Sequence, residues 1–154
     1  VFARVMMYFP ELPQTTRADE QPHYRLIRMF EIAPTNKGVN VSAGVTGAST
    51  GRLLYYTDGG GAAPRQDCAA DGGTLPAGKW TCIELRADTN GYQAWIDGKA
   101  IGSANASSGA ACWEKHDRVA SVSFGFQMAA GELTQPLTFF MDDVALDTKR
   151  IGCP

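Results

Sequence analysis

Polar and aromatic side chains that alternate with aliphatic residues are the best candidates for ligand binding in this sequence. Four of them lie on the two sides of an Asn-Gly pair: Glu84, Arg86, Gln93 and Trp95. Asn90-Gly91 is a strong hairpin signal, because both residues tolerate positive φ. An ordinary hairpin register places the four side chains on one face of a sheet. An aromatic ring suits the apolar side of a sugar, and planar polar groups suit its hydroxyls, so we predict a glycan-binding face here.

The same residue types also allow chemistry or simple packing. Elimination at a uronate needs a base for the C5 proton and a cation or amide that stabilises the enolate, and His23 and Arg25 supply further groups of these types. Retaining hydrolysis needs two carboxylates at a fixed separation. Glu31 and Glu84 belong to different segments, so the sequence does not give the distance between their carboxylates. The alternative for the hairpin is a cross-strand packing set with an Arg–Glu pair.

The elements that must position these residues are strands. Period-two alternation dominates and no helical period is sustained. Besides the hairpin, the predicted strands lie in 1–9, 23–33, 38–46, 51–57, 119–128 and 136–148. Residues 57–78 and 102–118 are predicted loops, the second with a short helical turn at 113–116. Many short strands separated by turn residues predict an all-β, jelly-roll β-sandwich of two antiparallel sheets, with the hairpin near the middle of one sheet.

One segment departs from simple alternation. In 23–33, alternation puts Leu26 and Phe30 on one face and Arg25, Ile27 and Met29 on the other. Arg28 then falls on the apolar face and interrupts it.

Length and charge narrow the class of protein. The 154 residues suit a single domain over 1–154, and the net charge of -2 with 14 scattered basic residues gives no general attraction to nucleic acid. No apolar stretch approaches the roughly 20 residues that a membrane-spanning helix needs. We therefore expect neither a nucleic-acid partner nor a membrane span.

Four cysteines are present: Cys68, Cys82, Cys112 and Cys153. None forms a C-x-x-C pair, which argues against a structural zinc site. An even count in a loop-rich chain favours two disulfides and a secreted protein, although buried thiols are the alternative. Of the three connectivities we favour Cys68–Cys82, which closes the long loop, and Cys112–Cys153, which ties the end of the chain to the body.

Three segments in order resemble the concanavalin A-like lectin/glucanase superfamily. They are "FARVMMYFPELP", "GKWTCIELRAD…GYQAWIDGKAI" and "FFMDDVALDTKRIG". The resemblance implies a jelly roll whose concave sheet face binds or acts on polysaccharide. The glucanase motif E-x-D-x-x-E is absent, as are the Q-[IV]-H and Y-x-K-x-G-x-Y segments of alginate lyases. The activity therefore stays open, and an enzyme of this kind would be a polysaccharide lyase in preference to a retaining glycoside hydrolase.

The resemblance has two further implications. It places Asp142 where superfamily members often hold a structural calcium, with a hydrogen-bonded strand-edge Asp as the alternative. It also implies further strands before the first one, so that the closing strand is left with an edge that a missing segment or another subunit pairs with. The predicted function is an extracellular carbohydrate-binding or polysaccharide-acting module. The alternative is a structural or interaction β-sandwich without glycan activity.

Overall fold

A computed structural model of the protein describes residues 1–13, 23–30, 38–46, 49–58, 74–88, 91–105, 119–128, 133 and 135–154. Within these ranges there is no helix and there are nine strands: β1 (Phe2–Tyr8), β2 (His23–Phe30), β3 (Gly38–Thr46), β4 (Ser49–Asp58), β5 (Trp80–Asp88), β6 (Gly91–Ile96), β7 (Lys99–Asn105), β8 (Ser121–Met128) and β9 (Phe140–Asp147). For β3 and β4 the description is of the backbone. The helical turn predicted at 113–116 and most of the loop predicted at 57–78 lie outside the described residues.

The strands form two antiparallel sheets, which confirms the predicted fold class. One sheet has the order β7-β6-β5-β1-β9 and the other has the order β4-β3-β2-β8. β5 is the third of five strands, so the predicted hairpin does lie near the middle of a sheet. β1 pairs with β5 on one side and with β9 on the other.

The core lies between the sheets. β1 and β5 alternate as the sequence predicts, and their inward side chains are completely or almost completely buried: Ala3, Val5, Met7, Ile83, Leu85 and Ala87. β2 contributes Leu26, Ile27 and Met29 from the other sheet. Each large aliphatic side chain buried in this way contributes about 1.5–3 kcal/mol to folding, so the shared core is what holds the two sheets together.

The hairpin between β5 and β6 turns one residue earlier than predicted. Asp88 pairs with Gly91, so the two connecting residues are 89 and 90, and Gly91 is already part of β6. The partner of Arg86 is therefore Gln93, whereas a turn at Asn90-Gly91 itself would have made it Trp95. The pairing register therefore differs from the predicted one by two residues. Every side chain stays on its predicted face, because strand side chains alternate with a period of two.

The turn between β6 and β7 is formed by Asp97 and Gly98, as predicted. Their φ angles are 48° and 77°. Two consecutive residues with positive φ are typical of the type I′ turn, in which Asp-Gly is a favoured pair.

Among the described residues, no helix has both the length and the apolar character required to cross a membrane.

Candidate functional site

The hairpin face, which we define as Glu84, Arg86, Gln93 and Trp95, is formed as predicted. Glu84 pairs in register with Trp95, and Arg86 pairs with Gln93. β1 extends the same face with Arg4 opposite Glu84 and Phe2 opposite Arg86. The four predicted side chains are therefore neighbours on the outer side of the five-stranded sheet, away from the core.

The C-terminal tail, residues 149–154, lies across this face and is held by Glu84. The Glu84 side chain is completely buried. Its Oε1 accepts hydrogen bonds from the backbone N–H of Ile151 at 3.0 Å and of Gly152 at 3.1 Å, and its Oε2 accepts one from Arg150 Nε at 3.1 Å. Gly152 has a φ of 76°, which glycine adopts without steric cost. Glu84 thus binds a segment of its own chain.

Trp95 also contacts the tail. The guanidinium carbon of Arg150 lies 4.5 Å from the centre of the Trp95 ring, within the range of a cation–π interaction. On β1, the ring of Phe2 stacks with Trp95 at 6.2 Å between ring centres. The aromatic ring that we predicted to stack on a sugar therefore already stacks on two side chains of the protein.

A disulfide fixes the tail to the same face. Cys82 is bonded to Cys153, and the sequence separation of the two residues is 71. The favoured pairings of Cys82 with Cys68 and of Cys153 with Cys112 are therefore wrong. The tail crosses β5 directly over Cys82, a proximity that no local sequence pattern encodes. Cys68 and Cys112 lie outside the described residues.

The two remaining members of the hairpin face make local contacts. Arg86 Nε lies 3.5 Å from Asp88 Oδ2. Gln93 Nε2 donates to the backbone carbonyl of Ala94 at 2.9 Å. Arg86 and Gln93 thus remain partly exposed beside the tail. Their local contacts agree with the alternative interpretation of the hairpin face, a cross-strand packing set, at least as well as with a sugar site.

Asp97 supports the rim of this face. Its Oδ1 accepts from the backbone N–H of Cys82 at 2.9 Å, and its Oδ2 accepts from Lys79 Nζ at 2.9 Å. Partial burial works against ionisation of Asp97. The hydrogen bonds from Lys79 and Cys82 and the charge of Lys79 together outweigh burial and lower the pKa of this carboxyl below its usual value. The carboxylate thereby ties the β6–β7 turn to the start of β5.

A second candidate site lies on the outer side of the other sheet. It is a groove of about 300 Å³ between β2 and β8, which we call the arginine groove; its lining is Arg25, Leu26, Arg28 and residues 123–127. Arg25 Nη1 donates to Gln127 Oε1 at 3.3 Å. Ser123, opposite Arg28 in register, adds a hydroxyl. The described part of the lining carries two guanidinium groups, an amide and a hydroxyl.

A β-bulge brings the two arginines to one face. Arg25 pairs with Ser42 of β3 and Ile27 pairs with the next residue, Val41, so Leu26 is an extra residue in β2. Facing β8, the single residue Leu26 stands against Gly125 and Phe126. An extra residue reverses the alternation. Leu26, Ile27 and Met29 are therefore all buried while Arg28 joins Arg25 outside, and the strict alternation predicted for 23–33 is wrong beyond Leu26.

The structure thus separates the predicted site residues. Arg25 and the hairpin face belong to different sheets. His23 is two residues before Arg25 in β2 and pairs in register with Gly44. Sequence reasoning missed Arg28, Ser123 and Gln127 as groove residues. The signal for Arg28 was present, because this charge interrupted an otherwise apolar face.

Asp142, the predicted calcium ligand, lies exposed in β9. Its Oδ1 accepts from the backbone N–H of Asp143 at 2.7 Å, as a strand-edge aspartate does. Within the described part of the chain, no three His, Cys, Asp or Glu side chains are grouped closely enough to hold a metal ion. Calcium binding at Asp142 therefore stays a prediction.

No family model and no curated protein matches this sequence. The resemblance to the concanavalin A-like superfamily consequently remains a prediction, whereas the two antiparallel sheets are observed in the structure.

Proposed function

We propose that the protein is a carbohydrate-binding module that takes acidic polysaccharide into the arginine groove. The observation that carries the proposal is the pair Arg25 and Arg28, which line one groove on a sheet face that the tail does not cross. A polysaccharide is an extended chain, and an open groove along two strands suits it better than a closed pocket.

The chemistry of the groove favours uronate residues. A guanidinium presents a planar fork of donors that matches a carboxylate, and it keeps its charge at every physiological pH. The amide of Gln127 and the hydroxyl of Ser123 can donate to and accept from sugar hydroxyls. The guanidinium groups of Arg25 and Arg28 attract a bound uronate electrostatically.

Whether binding is followed by cleavage is a separate question. Arginine and an amide are also the groups that would stabilise the enolate in a polysaccharide lyase. Arg28 of β2 pairs with Asn40 of β3, and Asn40 pairs with Tyr56 of β4, so the three positions lie in one row across the sheet. His23 lies at the start of β2. These positions keep a lyase as the favoured enzyme. The appearance of unsaturated uronate absorbance on incubation with a polyuronate would establish it.

The test of the proposal is retention in an affinity gel that contains a polyuronate, with a neutral β-glucan gel as the comparison. We expect the wild-type protein to be retained by the polyuronate. We expect Arg28→Gln to weaken binding at least about tenfold, because a hydrogen bond to a charged group contributes about 1.5–3 kcal/mol. Arg28→Lys keeps the charge but loses the fork, so its retention should be intermediate.

Arg86→Gln and Trp95→Ala are the matched controls, because they alter the hairpin face and leave the groove intact. Both should retain wild-type binding. Loss of binding in these two variants with none in Arg28→Gln would place the sugar on the hairpin face. Absence of binding to either gel would refute the proposed function.

A structural or interaction protein is the second candidate, and one observation favours it. The tail covers part of the face that the sequence suggested for sugar, through Glu84, Trp95 and the Cys82–Cys153 disulfide. Where the protein's own tail covers this face, its contacts stabilise the fold. The same disulfide supports a secreted protein, since such bonds persist in oxidising compartments.

A further inference from the structure

Three aromatic side chains lie in one line across the outer face of the five-stranded sheet. Tyr8 of β1 pairs in register with Trp80 of β5 on one side and with Phe140 of β9 on the other. The ring centre of Tyr8 lies 5.6 Å from that of Trp80 and 6.1 Å from that of Phe140. The residues next to Tyr8 in sequence, Met7 and Phe9, are buried in the core, so Tyr8 and its two partners are on the opposite side. We call these three residues the aromatic row.

The aromatic row is open to solvent, whereas another aromatic pair on the same face lies under the tail. Trp80 is 42% exposed and Phe140 is 51% exposed. Trp95, which stacks on Phe2 farther along this face, has the guanidinium of Arg150 over its ring. Large apolar side chains that are exposed side by side, and not singly, are typical of a binding surface.

The geometry of the aromatic row separates two stacking positions. The ring plane of Tyr8 is tilted by 47° from that of Trp80 and by 58° from that of Phe140, so the three rings do not form one flat floor. Tyr8, in the middle, is also less exposed than the two outer residues. Since β5 and β9 are two places apart in the sheet, the backbones of Trp80 and Phe140 are separated by about 9.5 Å. The aromatic row thus offers an exposed ring at each end and a less exposed position between them.

The strands that carry Trp80 and Tyr8 are paired on both sides. β5 lies between β6 and β1, and β1 lies between β5 and β9. A protein segment that binds by adding a strand therefore finds no unpaired backbone groups at these two residues. A segment that pairs with β9 would lie beside Phe140 in the plane of the sheet, not over the outer face. A ligand of the aromatic row is consequently bound by the rings themselves.

Polar groups border both ends of the aromatic row. At one end, Lys79 Nζ donates to Asp97 Oδ2 at 2.9 Å beside Trp80, and both of these polar side chains are exposed. At the other end, Asp142 follows Phe140 by two residues on the same side of β9 and is exposed. Charged groups beside an aromatic ring suit a sugar, whose ring face is apolar and whose edge carries hydroxyls. A wholly apolar ligand would have to remove water from these charges, which is costly.

We propose that the aromatic row is a second carbohydrate site, which binds a neutral β-1,4-linked glycan. Alternate sugars of such a chain present the same ring face. A first and a third sugar therefore stack on Trp80 and Phe140, while the sugar between them passes over Tyr8. Each sugar advances the chain by roughly the strand spacing of about 4.8 Å, so the two exposed rings match this repeat. The site lies on the opposite sheet from the arginine groove and requires no charge on the ligand.

The experiment measures the binding of cellohexaose, a neutral chain of β-1,4-linked glucose, by isothermal titration calorimetry. Maltohexaose, which has the same composition but α-1,4 linkages and a curved shape, is the comparison ligand. We expect cellohexaose to bind at least tenfold more tightly than maltohexaose. We also expect it to bind at least tenfold more tightly than cellobiose, because two sugars do not reach both outer rings. Equal binding of the two hexaoses, or binding of neither, would overturn the proposal.

Trp80→Ala and Phe140→Ala test the two ends of the aromatic row. Both residues are about half exposed, so the variants should fold, which thermal unfolding verifies. Each variant should weaken cellohexaose binding at least tenfold, because one stacking position is lost. Trp80→Phe keeps a ring and should bind with intermediate affinity. Wild-type binding in both alanine variants would overturn the assignment, since the rings would then serve packing alone.

Two controls separate the aromatic row from the other surfaces. Trp95→Ala removes a ring that the tail already contacts and should leave cellohexaose binding unchanged. Arg28→Gln should also leave it unchanged while weakening retention by the polyuronate gel, so retention by the neutral β-glucan gel should depend on Trp80 and not on Arg28. Polyuronate retention without cellohexaose binding would refute the aromatic row alone and leave the proposed function supported. Binding of a proline-rich peptide, but not of cellohexaose, that is lost in Trp80→Ala would make a protein segment the occupant and overturn the proposal.

Discussion

Glu84 shows how a residue type suited to ligand binding can be used inside the protein. A carboxylate without solvent contact needs partners, because burying a charge without them is costly. Glu84 obtains them from two backbone N–H groups and Arg150. Arg150 is half exposed, so its ion pair is screened by water and the two backbone bonds carry most of the interaction.

Asp97 makes a pH dependence predictable. Its folded pKa is lowered, so it stabilises the folded state above its unfolded pKa of about 3.9, and this contribution is lost as the pH falls through the folded pKa. Asp97→Asn should therefore lower the melting temperature at pH 7 and have a smaller effect near pH 2. Thermal unfolding of both proteins between these pH values measures the difference. A difference that stays constant with pH would mean that the carboxylate charge is unimportant in this turn.

The C-terminal tail shows how a segment without regular structure becomes part of the fold. It has contacts with three strands: β5 through Glu84 and Cys82, β6 through Trp95, and β1 through Arg4, whose Nη1 donates to the carbonyl of Gly152 at 2.9 Å. These contacts are polar, aromatic and covalent. The tail thus joins the central strands of the sheet on the side opposite the core.

Substitution of Glu84 tests the anchoring of the tail. Glu84→Gln keeps the shape but replaces one acceptor with a donor that faces the tail, so we expect a loss of about 3 kcal/mol in the free energy of unfolding. Arg150→Gln should cost at most about 1 kcal/mol, because Arg150 is half exposed. Urea denaturation with the disulfide intact measures both. Glu11→Gln, at an exposed position, is the control. A loss in Glu84→Gln no larger than that of the control would show that the tail is held by the disulfide alone.

The covalent connectivity of the whole chain is open to a direct test. Proteolysis without reduction, followed by mass spectrometry, should find the Cys82 and Cys153 peptides linked. If all four cysteines are paired, as the sequence predicts, Cys68 must then be linked to Cys112, and denatured protein should contain no reactive thiol. Reduction of the 71-residue loop should cost about 4 kcal/mol. A Cys68–Cys82 peptide would contradict the structure.

The sequence predicted those features of the molecule that are set by local periodicity. Alternation in 79–96 correctly predicted which of the described side chains of β5 and β6 face the core, because a strand fixes this at every second residue. It failed beyond Leu26, where an extra residue reverses the faces. It did not reveal the tail or the Cys82–Cys153 bond, because both depend on where distant segments meet in space. Four cysteines alone leave three connectivities, and only proximity chooses among them.

The Cys82–Cys153 bond has a mechanical consequence. When the two ends of the chain are pulled apart, tension that enters at Pro154 passes through the bond to Cys82, so the residues between the two cysteines carry no load. At roughly 3.6 Å per extended residue, the oxidised chain can lengthen to at most about 300 Å, compared with about 550 Å after reduction. The load then falls on the contact between β1 and β5, where Met6 lies opposite Cys82. The exposed edge strand β9 is inside the closed loop and is shielded from the pull.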